Sequence, residues 1–224
     1  MKAKRFAQSL IVVGVAIGVI GSGVMAQEKP SSTSDTSTST VSTPATQATF
    51  ISFKNYPDSA FNVKEYINGM RKGGQNLLIW RDPAVNLSQF SSVKVTEFGG
   101  RLLPQQNVFS YDPYIALFNS VFQSSLKLPQ KESSDALLIE GAVVECNPGS
   151  RAARAWVGFG AGKAACAVVC EVYEPGKPNP FIRIYTRDTG SSGSWGGDSV
   201  RMLNHILSEL GVRVATTLNT SVGR

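Results

Sequence analysis

The densest set of chemically capable side chains is the connection Gly149-Ser-Arg151-Ala-Ala-Arg154-Ala-Trp156-Val-Gly158-Phe-Gly160-Ala-Gly162-Lys163. It joins three cations, two aromatic rings and three alternating glycines. Arg151 and Arg154 offer bidentate donors, Trp156 a flat stacking face, and Gly158, Gly160 and Gly162 allow close backbone approach. Together with Lys163 they would clamp an anionic head group, a glycan or a partner strand. The competing reading is a long hairpin connection whose Trp and Phe cover a sheet edge, since glycine-rich strands also mark tight packing and bulges. The structural reading is the stronger one, because no set of ligand-specific groups is complete here.

Other motifs fail on spacing. A phosphate loop needs Gly five residues before Gly162, where Val157 stands, and Ser or Thr after Lys163, where Ala164 stands. The dinucleotide fingerprint fails because Lys163 occupies its third glycine position. Ser192-Gly-Ser194-Trp-Gly196 lacks the glycine two residues before its Ser194, and the single imidazole, His205, reads as a helix-boundary residue. One His and three Cys show no metal-ligand spacing, so neither a metal nor a cofactor is expected. A carboxylate pair of the glycosidase kind is a tertiary property, and nothing singles out Glu140, Glu145 or Glu171 for it.

The elements that must hold these residues follow from patterning. Asn76–Trp80 and Val93–Phe98 read as strands, the second alternating apolar and polar residues before Gly99-Gly100. Asp112-Pro113 opens a helix, with Asp as N-cap and Pro at the first helical position. Its stripe is Tyr114, Leu117, Phe118, Val121 and Phe122. Ala136–Cys146, Ala164–Tyr173 and Phe181–Thr186 form a three-strand meander. Asp198 or Ser199 then caps a closing helix with Val200, Leu203, Leu207, Leu210, Val214 and Leu218 inward. Strand, helix, three strands, helix predicts an α+β fold, mainly antiparallel, with helices packed on one face.

The first 26 residues carry Lys2, Lys4 and Arg5, an apolar run from Leu10 to Ile20, and Val24-Met25-Ala26 before Gln27. This is the layout of a cleavable secretory signal, and the run is too short to span a bilayer. Residues 27–48 are nearly all Ser, Thr, Pro, Ala, Gln and Asp, which reads as a disordered tether. The remainder, 49–224, is one domain of roughly 175 residues. The formal charge is +6, falling to about +3 without the signal. Mild basicity with only one small cationic cluster argues against a nucleic-acid partner.

An exported location permits disulfides. Cys166 and Cys170 on one strand would lie about 13 Å apart, too far to pair. Cys146 can reach one of them across a hairpin, with Cys166 preferred; the alternative is three buried free thiols.

The chain resembles an uncharacterised bacterial envelope family, domain of unknown function 4410. The resemblance runs from Val85-Asn-Leu87 through Val93–Phe98 and strengthens over Ser134–Tyr173. GSRAARAWVGFGAGKA, from Gly149 to Ala164, is its most specific part, and the Gly/Ser loop before a terminal amphipathic helix fits as well. The family is itself similar to small α+β envelope modules such as curli-secretion-like lipoprotein domains. The resemblance implies an exported α+β domain with no established activity or catalytic residues. Many relatives look like lipoproteins, whereas no Cys stands near Ala26 to carry a lipid here.

Three functions are compatible with these observations. The first is a noncatalytic periplasmic or cell-envelope module that binds an envelope protein, by strand addition at a sheet edge. The second is an envelope hydrolase acting on glycan or peptide. The third is binding of an anionic glycan or lipid surface through Arg151, Arg154, Trp156 and Lys163.

Overall fold

The sheet has six strands, and their order in it is not their order in the chain. A computed structural model describes residues 51–105, 109–149, 163–190 and 199–222. The expected signal (1–26) and tether (27–48) lie outside them. The strands are β1 (Arg71–Gly74), β2 (Leu77–Arg81), β3 (Val93–Val95), β4 (Leu137–Asn147), β5 (Ala164–Tyr173) and β6 (Pro180–Gly190). They run β1-β2-β6-β5-β4-β3 across the sheet. Every pairing is antiparallel except β3 with β4. The helices are α1 (Val63–Tyr66), α2 (Asp112–Ser125) and α3 (Ser199–Ser221). The α+β class and the β4–β5–β6 meander expected from the sequence are therefore present.

Strand β5 is the centre of the fold, and all ten of its residues are buried. Its even positions, Ala164 to Val172, face α2 and α3 in one apolar cluster with Phe118, Phe122, Leu207 and Leu210. Ala167 and Val169 face the other way, into a second cluster with Phe53, Tyr56, Tyr66 and Tyr185. The long helices thus share one face, as expected, while the single-turn α1 and the segment before it cover the opposite one.

Two expectations for the helices shift by a residue or a turn. Helix α2 begins at Asp112, with Tyr111 as its N-cap and no side-chain cap bond. Tyr111 is already helical (φ −86°, ψ −19°) and its hydroxyl donates to the Pro104 carbonyl at 3.0 Å, so the helix starts earlier than the Asp-Pro signal suggests. Asp112 remains in the first turn, where its charge complements the helix dipole. On α3, Val200 is 50% exposed rather than inward, and the buried stripe starts at Met202 and Leu203. The two helices approach closely at Gly211, where a Cβ would come 3.2 Å from the Phe122 amide nitrogen.

The segment after β3 is pinned to the same layer. Asn119 on α2 accepts from the Phe98 amide and donates to the Phe98 carbonyl, both at 2.9 Å. The Phe98 ring then packs on Phe118 and Phe122 at 5.1 and 5.0 Å between centroids. That ring fits because residue 141 of β4 is glycine: a Cβ there would collide with Phe98 and with the Val169 carbonyl oxygen. Gly141→Ala is expected to destabilise the fold by about 2–3 kcal/mol, the cost of overpacking against backbone. Urea denaturation measures it, and Gly99→Ala, which meets open space, serves as the comparison.

Helix α3 is tied to β6 by charge as well. Arg213 donates to Asp188 at 2.8 Å, and Asp188 also accepts from the Thr189 amide and from Asn76. Burial pushes the Asp188 carboxyl up, but these bonds outweigh it and hold it below its usual value. A depressed folded value means the contribution is complete above the unfolded value near 3.9 and is lost as pH falls through the folded one. Asp188→Asn should cost about 1 kcal/mol at pH 7 and flatten the loss of stability below about pH 4. Unfolding midpoints measured from pH 7 to pH 2 check both effects.

Candidate functional site

Among the described residues, a buried polar cluster lies on the face away from the long helices. Glu171 of β5 and Arg183 of β6 are direct cross-strand partners. Their side chains are 0% and 1% exposed, with Nε and Oε1 3.6 Å apart. Glu171 accepts from the Phe53 amide at 3.1 Å and from the Ser52 hydroxyl at 2.7 Å, and the Tyr173 phenol donates to it as well. Arg183 donates to the carbonyls of Ile51 (3.0 Å) and Tyr66 (2.9 Å), and its guanidinium lies 4.2 Å from the Tyr66 ring centroid. Lys54 closes the rim, paired with Glu140 and placed 4.1 Å over the Tyr173 ring.

The phenols around this pair are held protonated. Burial first, and the Glu171 charge second, push Tyr66 and Tyr173 well above 10. Tyr56 is pushed up to about 12 by burial, with Glu65 adding to it. The Tyr66 hydroxyl sits near Glu171 but outside hydrogen-bond geometry. A carboxylate with both oxygens engaged and no solvent access has no place for a substrate proton. The chemistry of the pair is retention: it clamps residues 51–53 and 66 onto the sheet.

Sequence reasoning did not single out this pair. The signal was present: Glu171 and Arg183 are lone charges within apolar runs, six residues either side of Lys177 in the intervening turn. A tight antiparallel hairpin about that turn brings them opposite each other.

The residues expected to form a binding loop are only partly placed. Arg151, Arg154, Trp156, Gly158, Gly160 and Gly162 lie outside the described residues, as do residues 191–198, including the Ser192–Gly196 stretch and Asp198. Lys163 is exposed at the entry to β5. The strand register nevertheless brings the starts of both Gly-rich connections to one end of the sheet. Asn147 is opposite Ala165, and Ala164 is opposite Gly190. His205 is exposed on α3, with Nε2 3.6 Å from Glu209 one turn on. Cys146 and Cys166 are register partners and both are buried, free thiols. Among the described residues no cluster of His, Cys, Asp or Glu is grouped to hold a metal, and no helix is long and apolar enough to cross a membrane.

A second feature missed in the sequence is a sheet edge that is open among the described residues. Terminal strand β1 exposes all four of its residues, Arg71, Lys72, Gly73 and Gly74. Beside it runs a groove of about 380 Å³ lined by Lys72, Asn76, Leu78, Tyr185 and Arg187. The opposite edge is covered: the Val93 amide donates to the Pro129 carbonyl at 2.9 Å, and Lys131 donates to the Val93 carbonyl at 3.0 Å. Lys94 pairs with Glu132 across that cover.

Removing one member of the buried pair strands the other. Glu171→Leu or Arg183→Met alone should cost about 3–5 kcal/mol, whereas the double replacement should recover most of that loss. A double-mutant cycle by urea denaturation reads the coupling, and additive single costs would contradict the clamp.

Among solved structures, the chain is similar to a PelC dodecamer from Paraburkholderia phytofirmans, at 14% identity over 62% of this chain and 94% of that one, with a TM-score of 0.38. A variant of the same PelC dodecamer gives 11% identity over 62% and 95%, with a TM-score of 0.37. No curated protein matches. A family described as Domain of unknown function (DUF4410) matches residues 118–194. That span runs from the second half of α2 through the whole β4–β5–β6 meander, including Glu171, Arg183 and all three cysteines. Residues 118–194, then, match the DUF4410 family that the GSRAARAWVGFGAGKA stretch resembles.

Proposed function

We propose that this chain is an exported, noncatalytic cell-envelope module that binds a protein partner by adding the partner's strand to β1. The open β1 edge carries the reading. One end of the sheet is capped by Pro129–Lys131, while the other leaves a four-residue strand exposed beside a groove. Main-chain hydrogen bonds along such an edge supply affinity, and flanking side chains supply selection. Arg71 and Lys72 on the edge, in a chain that keeps about +3 without its signal, select an extended acidic segment. The cationic, apolar and small-residue zones of residues 1–26 and the polar stretch 27–48 support export and a tether that gives the edge reach.

A photoactivatable residue at position 72 of the full chain tests this in intact cells. The matching control is position 212, an exposed valine on α3. The expected result is a discrete adduct from position 72 alone, mapping to an acidic extended segment and reduced about tenfold by Arg71→Glu. Equal labelling from both positions, or adducts indifferent to Arg71→Glu, would overturn the proposal.

A further inference from the structure

The geometry points to an intramolecular disulfide between Cys146 and Cys166 that staples the loop end of the β4–β5 hairpin, leaving Cys170 as the one free thiol. Two linked features place the pair. The first is register: Cys146 lies directly opposite Cys166, and directly opposed residues in antiparallel strands have Cα atoms about 4.5–5.5 Å apart, inside the disulfide window. The second is a β-bulge between Val143 and Glu145. Before it, Val143 faces the helices and Ala142 the other side. Without the extra residue, Cys146 would fall opposite Ala165 and face away from Cys166. With it, Cys146 and Cys166 share the helix-side cluster, while Glu145 turns to the other face and pairs with Arg187 at 2.6 and 2.9 Å. The bulge therefore reorients two side chains at once, each onto a partner.

Cys170 has no such partner. Its register neighbours are Gly141 and Ile184, and it stands four residues along β5 from Cys166. All three thiols are buried in the folded protein; the Cys146 hydrogen bond and burial push Cys166 up, and burial pushes Cys170 up. Oxidation therefore precedes closure of the helices over β5. The co-reactant is a disulfide oxidant, either a protein disulfide or oxidised glutathione. One Cys thiolate attacks a sulfur of the oxidant, forming a mixed disulfide and releasing one thiolate. The second Cys thiolate then attacks the linked cysteine sulfur and releases the other. Two protein thiols lose two electrons, and the two protons end on the two released thiols.

Refolding the full chain in a glutathione redox buffer, then unfolding it in N-ethylmaleimide, reads the outcome by mass. One adduct, with a 146–166 linked peptide after digestion, is expected. Cys170→Ala should give none, and Cys146→Ala two. The oxidised protein should melt on the order of 5–10 °C above the reduced one, from closing a loop of roughly 20 residues. Cys146→Ala should show no such difference between oxidised and reduced buffer. Three adducts on the refolded wild type, or a link through Cys170, would overturn the inference. So would an oxidised melting point no higher than the reduced one.

Discussion

Burying β5 on both faces obliges every polar group on it to find an internal partner, and Glu171 is the group for which this is hardest. A carboxylate moved into low dielectric loses several kcal/mol of hydration even after relaxation. Arg183 alone, at 3.6 Å, does not make that good. Ser52, the Phe53 amide and Tyr173 complete the shell, and two of these three come from the segment before α1. The second layer of the fold is therefore recruited by a charge rather than only by apolar area. Arg183 does the same from its side by binding the carbonyls of Ile51 and Tyr66, fixing both ends of the cover. Apolar contact alone would let Phe53, Tyr56 and Tyr66 slide across Ala142, Ala167 and Val169, which are small and similar. The charged pair gives that layer one register.

Much of this architecture is legible in the residue pattern, and the parts that are not share a cause. The meander and both long helices show their periodicity over ten or more residues, so they read clearly. Strand β1 does not, because Arg-Lys-Gly-Gly has neither alternation nor strand propensity; it exists because β2 offers it a template. The parallel pairing of β3 with β4 is equally silent, since it depends on α2 crossing between them. Gly141 reads as a weakness in an apolar strand, and only the Phe98 ring over it explains the residue. Val200 fits the helical period of α3 yet is exposed. The Glu171–Arg183 pair lay between these cases. Its spacing about the turn was readable, but the burial that gives it meaning comes from residues more than a hundred positions away.

The two edges of the sheet show how differently an open ladder can be handled. At β3 the chain spends three residues, Pro129 to Lys131, on covering the backbone. At β1 it uses glycines and cations instead. Cationic edges deter self-pairing between identical copies, because like charges would meet across the new ladder. The same charges favour a strand of opposite sign. A Cβ on Gly73 would strike Leu77 and Ile79, so this strand lies close against β2 and leaves little side-chain bulk beside the edge. An edge that repels its own kind and is sterically open to another is consistent with pairing to a different chain.

The far end of the sheet is built on another principle. There the rows Glu145–Ala167–Arg187 and Cys146–Cys166–Asp188 lie next to each other across β4, β5 and β6. The first row ends in the Glu145–Arg187 pair on the α1 side, and the second is tied to α3 through Asp188 and Arg213 on the other. Both Gly-rich connections leave the sheet within two residues of these rows, at Asn147, Ala164 and Gly190. Residues that must present a backbone or a cation in a fixed place are held best by elements that do not themselves move. Charge on one face and an ion pair to a helix on the other give these exits such a base, whatever the connections beyond them bind. The bulge after Val143 makes this possible, because without it Glu145 and Cys146 would each face the wrong layer.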